Sequence, residues 1–174
     1  DIAGCEGANA NIIPNPDASG ENTSSTVMEY QKTNGSAFFA GVTVRFDTPI
    51  DFSTNRAISF SSWSPKANIP VRVQIEGSTP ANIRQIDVNT TVASSWETLT
   101  ADFSEVLVNG EDYDRIVIFY EFIVDLAGDG SVYYVDNIAT ADSGGGGGVV
   151  ELPVDFESTE LTYRFEGFEG ADSN

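Results

Sequence analysis

The sequence contains no histidine and only one cysteine in 174 residues. Without histidine, the usual general base, the commonest zinc ligand and a serine-type triad are all missing. One cysteine excludes an internal disulfide framework. Basic residues are scarce: 8 Lys and Arg stand against 27 Asp and Glu, a formal net charge of −19. So acidic a chain repels phosphate backbones, which argues against nucleic acid as a partner. Highly anionic polysaccharides are disfavoured too, unless a local Arg cluster overrides the field. No run of about 18 apolar residues occurs, so no membrane insertion is expected. No basic-then-apolar leader is seen, and any export signal is expected outside these residues.

What is present suits pleated sheets. Hydrophobic residues make up 40% and aromatics 11%, with Thr, Val and Ile in short runs. Ser143 followed by Gly144 to Gly148 reads as a flexible tether. The expected division is a folded module over 1–142, a Ser/Gly linker over 143–148, and a tail over 149–174 too short to fold alone. That tail repeats the beginning: Gly167-Phe168-Glu169-Gly170-Ala171-Asp172-Ser173-Asn174 matches Gly4-Cys5-Glu6-Gly7-Ala8-Asn9-Ala10-Asn11. The spacing is that of a whole domain, so tandem copies are expected, with 149–174 opening the next copy. Ile2-Ala3-Gly4-Cys5 reads like a lipid-attachment motif, but Asp1 stands where an apolar signal core should run. The repeat sets Phe168 opposite Cys5, so a buried apolar slot is expected instead.

Strands are expected over 25–32, 37–46, 57–63, 70–76, 83–89, 96–103, 115–124 and 131–139, an all-β sandwich or jelly roll. Asn34-Gly35 is expected to close a hairpin between the first two. Alternation assigns faces. Val71, Val73 and Ile75 point one way, and Arg72, Gln74 and Glu76 the other. Ile58 and Phe60 look inward, with Ser59, Ser61 and Trp63 opposite. Phe38, Ala40, Val42, Val44 and Phe46 form an apolar row. Over 115–124 both sides are apolar, with Glu121 among Val117, Phe119 and Ile123 on one side. Such a strand is either central and covered, or lines a ligand groove.

Several segments carry a resemblance: Asn15-Pro16-Asp17-Ala18-Ser19-Gly20-Glu21-Asn22-Thr23-Ser24; Phe39-Ala40-Gly41 leading to Thr48-Pro49-Ile50-Asp51-Phe52-Ser53; Trp63-Ser64-Pro65-Lys66-Ala67; Trp96-Glu97-Thr98-Leu99-Thr100-Ala101-Asp102-Phe103-Ser104; Gly128-Asp129-Gly130-Ser131-Val132-Tyr133-Tyr134-Val135-Asp136-Asn137-Ile138; and Leu152-Pro153-Val154-Asp155-Phe156-Glu157. In order and spacing they resemble the jelly-roll carbohydrate-binding-type modules found in tandem on secreted or surface polysaccharide-utilisation proteins of marine bacteria. The resemblance implies an all-β jelly-roll β-sandwich in a secreted or cell-surface protein. It also implies a structural Ca2+ shared by a Glu of the first strand and an Asp of the last. Those positions fall on Glu157 and Asp136. Glu157 lies in the tail, so residues 1–142 are expected to lack their own first strand, and the tail is expected to dock in its place.

Sugar recognition needs flat aromatic rings for the apolar faces of pyranoses, and amides, carboxylates and guanidinium groups for the hydroxyls. Trp63 with Arg72, Gln74 and Glu76 fits that recipe if their strands are neighbours in one sheet. Phe119, Glu121 and Tyr133 are further candidates, and Trp96 is expected in the core. Two carboxylates can make a glycosidase, but their sheer abundance here gives no signal, and a non-enzyme is expected. The first reading is therefore a module for a neutral polysaccharide, with a β-glucan of the laminarin type as the first choice that the resemblance implies. A Ca2+-stiffened spacer or adhesin repeat is the second, and a glycoside hydrolase domain the third.

Overall fold

The computed structural model describes residues 2–79, 81–142, 150–154 (backbone course only) and 156–157. The linker expected over 143–148 and the repeat expected over 167–174 lie outside the described residues. Eleven strands are described: β1 (Ile2–Cys5), β2 (Ala8–Pro14), β3 (Thr26–Lys32), β4 (Gly41–Arg45), β5 (Ala57–Trp63), β6 (Pro70–Glu76), β7 (Ile83–Asn89), β8 (Trp96–Asp102), β9 (Arg115–Tyr120), β10 (Val132–Ala141) and β11 (Val150–Val154). One five-stranded sheet has the order β1-β4-β9-β6-β7, and a six-stranded sheet has the order β2-β3-β10-β5-β8 with β11 also on β10. Every pairing is antiparallel. From β3 to β6 the chain changes sheet at each step.

The period-two pattern decides what is buried between the sheets. Val42, Val44, Ile116, Ile118, Tyr120, Val71, Val73 and Ile75 come from the first sheet, and Met28, Tyr30, Ile58, Phe60, Tyr133 and Val135 from the second. At the centre Tyr120 stacks on Tyr133, with centroids 4.2 Å apart and planes at 16°, and Tyr30 stacks on Tyr133 at 5.4 Å. Their hydroxyls are satisfied by Ser62 (2.6 Å from the Tyr120 Oη), by Glu121 and by the Ala40 carbonyl. Burial pushes all three phenols up, so they remain neutral.

Three expectations are corrected. Asn34-Gly35 does turn the chain, with Gly35 at φ 79°, but β3 and β4 belong to different sheets. The turn is therefore a crossover, not a hairpin. The strand expected over 37–46 begins only at Gly41, and Phe38 and Phe39 sit in the turn before it. The strand expected over 115–124 ends at Tyr120, because Glu121 takes a left-handed φ of 50°. Such a φ breaks the pleat and reverses the alternation beyond it.

The N-terminal strands were not expected at all. β1 and β2 are short and built largely of Ala, Asn and Gly, which have little strand propensity. The pattern Ala8-Asn9-Ala10-Asn11 nevertheless alternates small apolar and polar residues. Ala8 and Ala10 are buried, while Asn9 and Asn11 reach Gln31 and Glu29 across the pair.

β5 pairs with one side of β10 from Tyr134 to Ala141, with a register shift between Asp136 and Ala139. On the other side β3 pairs with Val132 to Val135, and β11 pairs at Ile138 and Thr140. The tail thus continues the line of β3 along β10. Phe156 is buried in the core at 3% exposure. The Glu157 carboxylate accepts from the Ser25 and Thr26 amides (2.8 Å for Thr26) and from the Ser25 hydroxyl. The Thr26 hydroxyl in turn donates to the Phe156 carbonyl at 2.6 Å. Glu157 therefore caps the start of β3.

Candidate functional site: the outer face of the five-stranded sheet

Strand register lays out the outer face of the five-stranded sheet in rows. Cys5, Gly41, Phe119, Arg72 and Asp87 form the first. Ala3, Thr43, Val117, Gln74 and Gln85 form the second, and Arg45, Arg115, Glu76 and Ile83 the third. Rows along a strand repeat about every 6.6–6.8 Å. Thr43, Val117, Phe119 and Gln74 are 3–8% exposed yet lie outside the core between the sheets. Asp87 and Ile83 at the β7 edge stand open, with the Asp87 side chain 51% exposed. A buried floor with an open rim is the form of a cleft.

One end of this face is aromatic. The Phe119 ring lies over Gly41, where an added Cβ would come within 2.5 Å of it. Only glycine lets the ring lie against the neighbouring strand. Phe122 packs edge-on to Phe119 at 5.4 Å and to Phe38 at 5.2 Å, and Phe38 meets Phe39 at 5.0 Å. The Arg72 guanidinium carbon sits 3.9 Å from the Phe122 centroid, and the same group holds Asp87 through two bonds of 2.7 and 2.8 Å. That contact lowers the Asp87 carboxyl and raises Arg72, so both stay charged. Beyond the aromatic end a polar relay follows. Gln85 donates to Gln74, Gln74 donates to Glu76, and Arg115 stands 3.3 Å from Glu76.

The aromatic end is held by a buried cation. Lys32, fully buried, donates to the carbonyls of Phe38 (2.9 Å), Tyr120 (3.0 Å) and Glu121 (3.0 Å). These carbonyls belong to the two segments that carry the four Phe rings. Burial lowers the Lys32 ammonium, opposed by the nearby Glu121.

The structure brings together four of the residues expected to bind ligand, Arg72, Gln74, Glu76 and Phe119, and separates the other three. Trp63 lies on β5, in the opposite sheet, in a row with Asn11, Glu29, Tyr134 and Trp96. Its ring packs on Tyr134 at 5.1 Å, and its Nε1 donates to Asp17 at 3.1 Å. Alternation put Trp63 on an outer face correctly but could not say of which sheet. Glu121 is turned inward by its left-handed backbone, to Lys66 at 2.6 Å and the Tyr133 hydroxyl at 2.9 Å. Tyr133 is in the central ring stack, with no exposed surface. Trp96 is buried as expected, but on the outer face opposite Trp63 and outside the core between the sheets, where Leu99 and Ala101 of the same strand lie. Phe38, Phe39, Phe122, Gln85 and Asp87 were missed. The signal for the aromatic end was the doubly apolar run after Arg115, which marked a groove or a covered strand without deciding between them.

For the implied Ca2+, Asp136 fits and Glu157 fits less well. Asp136 is fully buried. Its Oδ2 accepts from Asn22 at 2.9 Å, and its Oδ1 has no hydrogen-bond partner. Desolvation pushes its carboxyl up, against the opposing effect of Ser24, Asn22 and the Asn137 and Phe156 amides. A hard cation would answer such an orphaned oxygen. The Glu157 oxygens, in contrast, are already bonded to Ser25 and Thr26. Among the described residues no three acidic or thiol side chains cluster.

Comparison with solved structures turns on the course of the strands. The family 11 carbohydrate-binding module of Clostridium thermocellum, solved with a β-1,3-1,4-mixed-linked tetrasaccharide, superposes with a TM-score of 0.54 at 18% identity, over 82% of this chain and 88% of that one. The fold is a jelly-roll β-sandwich. The family 11 module of the cellulosomal cellulase Lic26A-Cel5E from the same organism matches at TM-score 0.50 and 22% identity, over 79% and 84% of the two chains. The C-terminal family 22 module of Clostridium thermocellum Xyn10B matches at 0.52 and 12%, over 82% and 87%. No family model matches the sequence, and no curated protein matches it. This jelly roll thus shares its strand course with carbohydrate-binding modules at low sequence identity.

Proposed function

We propose that this chain is a non-catalytic carbohydrate-binding module of a secreted or cell-surface protein, taking a neutral polysaccharide across the outer face of its five-stranded sheet. The observation that carries the reading is the Phe119–Phe122–Phe38–Phe39 cluster with Arg72 across Phe122, continuous with the Gln85–Gln74–Glu76 relay. Rings and an aligned row of amide and carboxylate groups are what a pyranose chain requires, apolar contact on its C–H faces and bonds for its hydroxyls. A β-glucan of the laminarin type is the first choice of ligand. The mixed-linked glucan bound by a module of the same fold supports that class. The ionic groups on this face are paired with each other, which suits an uncharged chain. A shallow recognition face gives Kd values from micromolar to millimolar, roughly −8 to −4 kcal/mol.

Affinity electrophoresis on laminarin, mixed-linked β-glucan and xylan tests the proposal. Retardation on a neutral glucan that falls several-fold in Arg72→Ala is expected. Unchanged mobility of the folded protein on every neutral glycan would overturn it. That result would promote the second reading, a Ca2+-stiffened spacer repeat, which the orphaned Asp136 oxygen and the docked tail favour. In either reading the tail is proposed to open the next of several tandem copies. Where Ca2+ binds, Asp136 Oδ1 would hold it, and Glu157 would join only by giving up its bonds to β3. The ion would supply charge neutralisation for a buried carboxylate and a tie between tail and body.

A further inference from the structure

At the opposite end of the sandwich from the aromatic cluster, the loops after β4 and after β8 line a half-open cavity of about 290 Å3. Its walls include Ile50, Phe52, Leu107 and Tyr113, and its polar groups include Arg56 and Asn109. Phe52 and Tyr113 meet edge to face, with centroids 6.0 Å apart and planes at 83°. The acid in the wall is already neutralised: Glu111 binds Arg84 and the Tyr113 hydroxyl, both at 2.5 Å. Arg84 also bonds the Val106 carbonyl at 2.8 Å, so the same group fixes the loop that shapes the cavity.

Arg56 is the exception among the basic residues. Arg72, Arg84, Arg115 and Lys66 are ion-paired, and Lys32 is held by carbonyls. Arg45 has a partner too. The Arg56 guanidinium, half-buried, is the one basic side chain among the described residues without a hydrogen bond or ion pair, in a protein of net charge −19. An unpaired planar fork beside apolar and aromatic walls is complementary to a carboxylate on a ring-sized body.

We propose that this cavity is a second binding site, for a sugar acid: one uronic acid residue, its carboxylate on Arg56 and its ring between the Phe52 and Leu107 walls. The site is independent of the sheet face. It admits a single charged residue where the field of the whole protein rejects a polyanion.

The test is a titration followed by amide NMR on the full chain, with sodium glucuronate, glucose and sodium acetate as probes. Glucuronate is expected to shift resonances over 50–56 and 107–113, at least about tenfold more tightly than glucose or acetate. Arg56→Gln should weaken it about tenfold or more, the loss of one charge-assisted pair. Arg56→Lys should fall between the two, and the melting temperature should not move, since the Arg56 side chain bonds nothing in the fold and its carbonyl, which accepts from the Phe103 amide at 2.9 Å, is kept in either variant. Arg72→Ala should leave glucuronate binding unchanged, which separates this site from the glucan face. Equal affinity for glucuronate and glucose, an Arg56→Gln variant that binds as well as the parent, or shifts confined to β6 and β9 would each overturn the proposal.

Discussion

Arg72 and Phe122 form a stacked pair across the end of β6 and the turn after β9, the guanidinium carbon 3.9 Å from the ring centre. Because Asp87 holds the same guanidinium from the other side, the pair is pinned in one orientation at the mouth of the cleft. Arg72→Ala and Phe122→Ala should each reduce glucan retardation several-fold. A partly exposed cation–π contact is worth about 0.5–2 kcal/mol, so the fold should survive both changes. Circular dichroism and melting curves would confirm that, and full binding by both variants would remove this end of the face from the site.

Trp63 and Trp96 provide the contrast. Both ring nitrogens are tied to Asp17, Trp63 to its carboxylate at 3.1 Å and Trp96 to its carbonyl at 2.7 Å. Trp63→Ala should therefore leave glucan binding unchanged while lowering stability. Trp96→Ala should cost more, about 3–5 kcal/mol for a buried ring. Chemical denaturation read beside affinity electrophoresis decides it. Lost glucan binding in a folded Trp63→Ala protein would move the site to the other sheet.

Lys32→Met should destabilise the chain by about 1–3 kcal/mol, since it strips the donor from buried carbonyls. It should also weaken glucan binding, because those carbonyls position Phe38 and the Phe119–Phe122 segment. Binding measured well below the melting transition separates the two effects. Parent-like affinity there would limit Lys32 to a structural role.

Asp136 carries a raised carboxyl, and the sign of its contribution follows. Its charged form is disfavoured in the folded state, so it costs stability at neutral pH. That cost fades as pH falls through the raised folded value towards the ordinary 3.8. In chelator, Asp136→Asn should therefore melt higher than the parent at pH 7, and the advantage should vanish near pH 4. Ca2+ should raise the melting temperature of the parent and not of the variant. A parent indifferent to Ca2+ and EDTA would exclude the metal at this position.

Phe156 lies in the core although it stands beyond the glycine run. Phe156→Ala should cost about 3–5 kcal/mol, and a chain ending at Asp142 should melt lower still, having lost the pairing of β11 on β10. Equal melting temperatures for the full and shortened chains would show that the tail contributes nothing to the fold.

The pattern of residues by itself determined which side chains face in or out, because the pleat has period two and needs only neighbouring residues to read. β6 shows it best: Val71, Val73 and Ile75 are fully buried, with Arg72, Gln74 and Glu76 on the other face. The absence of helix among the described residues and the run of eight later strands followed from the same local rule, and the acidic last-strand position was marked by resemblance. The order of strands was not legible, since pairing joins residues far apart in sequence. Only the tertiary structure put Trp63 on the sheet opposite Arg72, and Phe119 between Gly41 and Arg72. One backbone angle, φ 50° at Glu121, also lay beyond any period. It sent that carboxylate inward to Lys66 and Tyr133, and left Phe122 to meet Arg72 over the cleft.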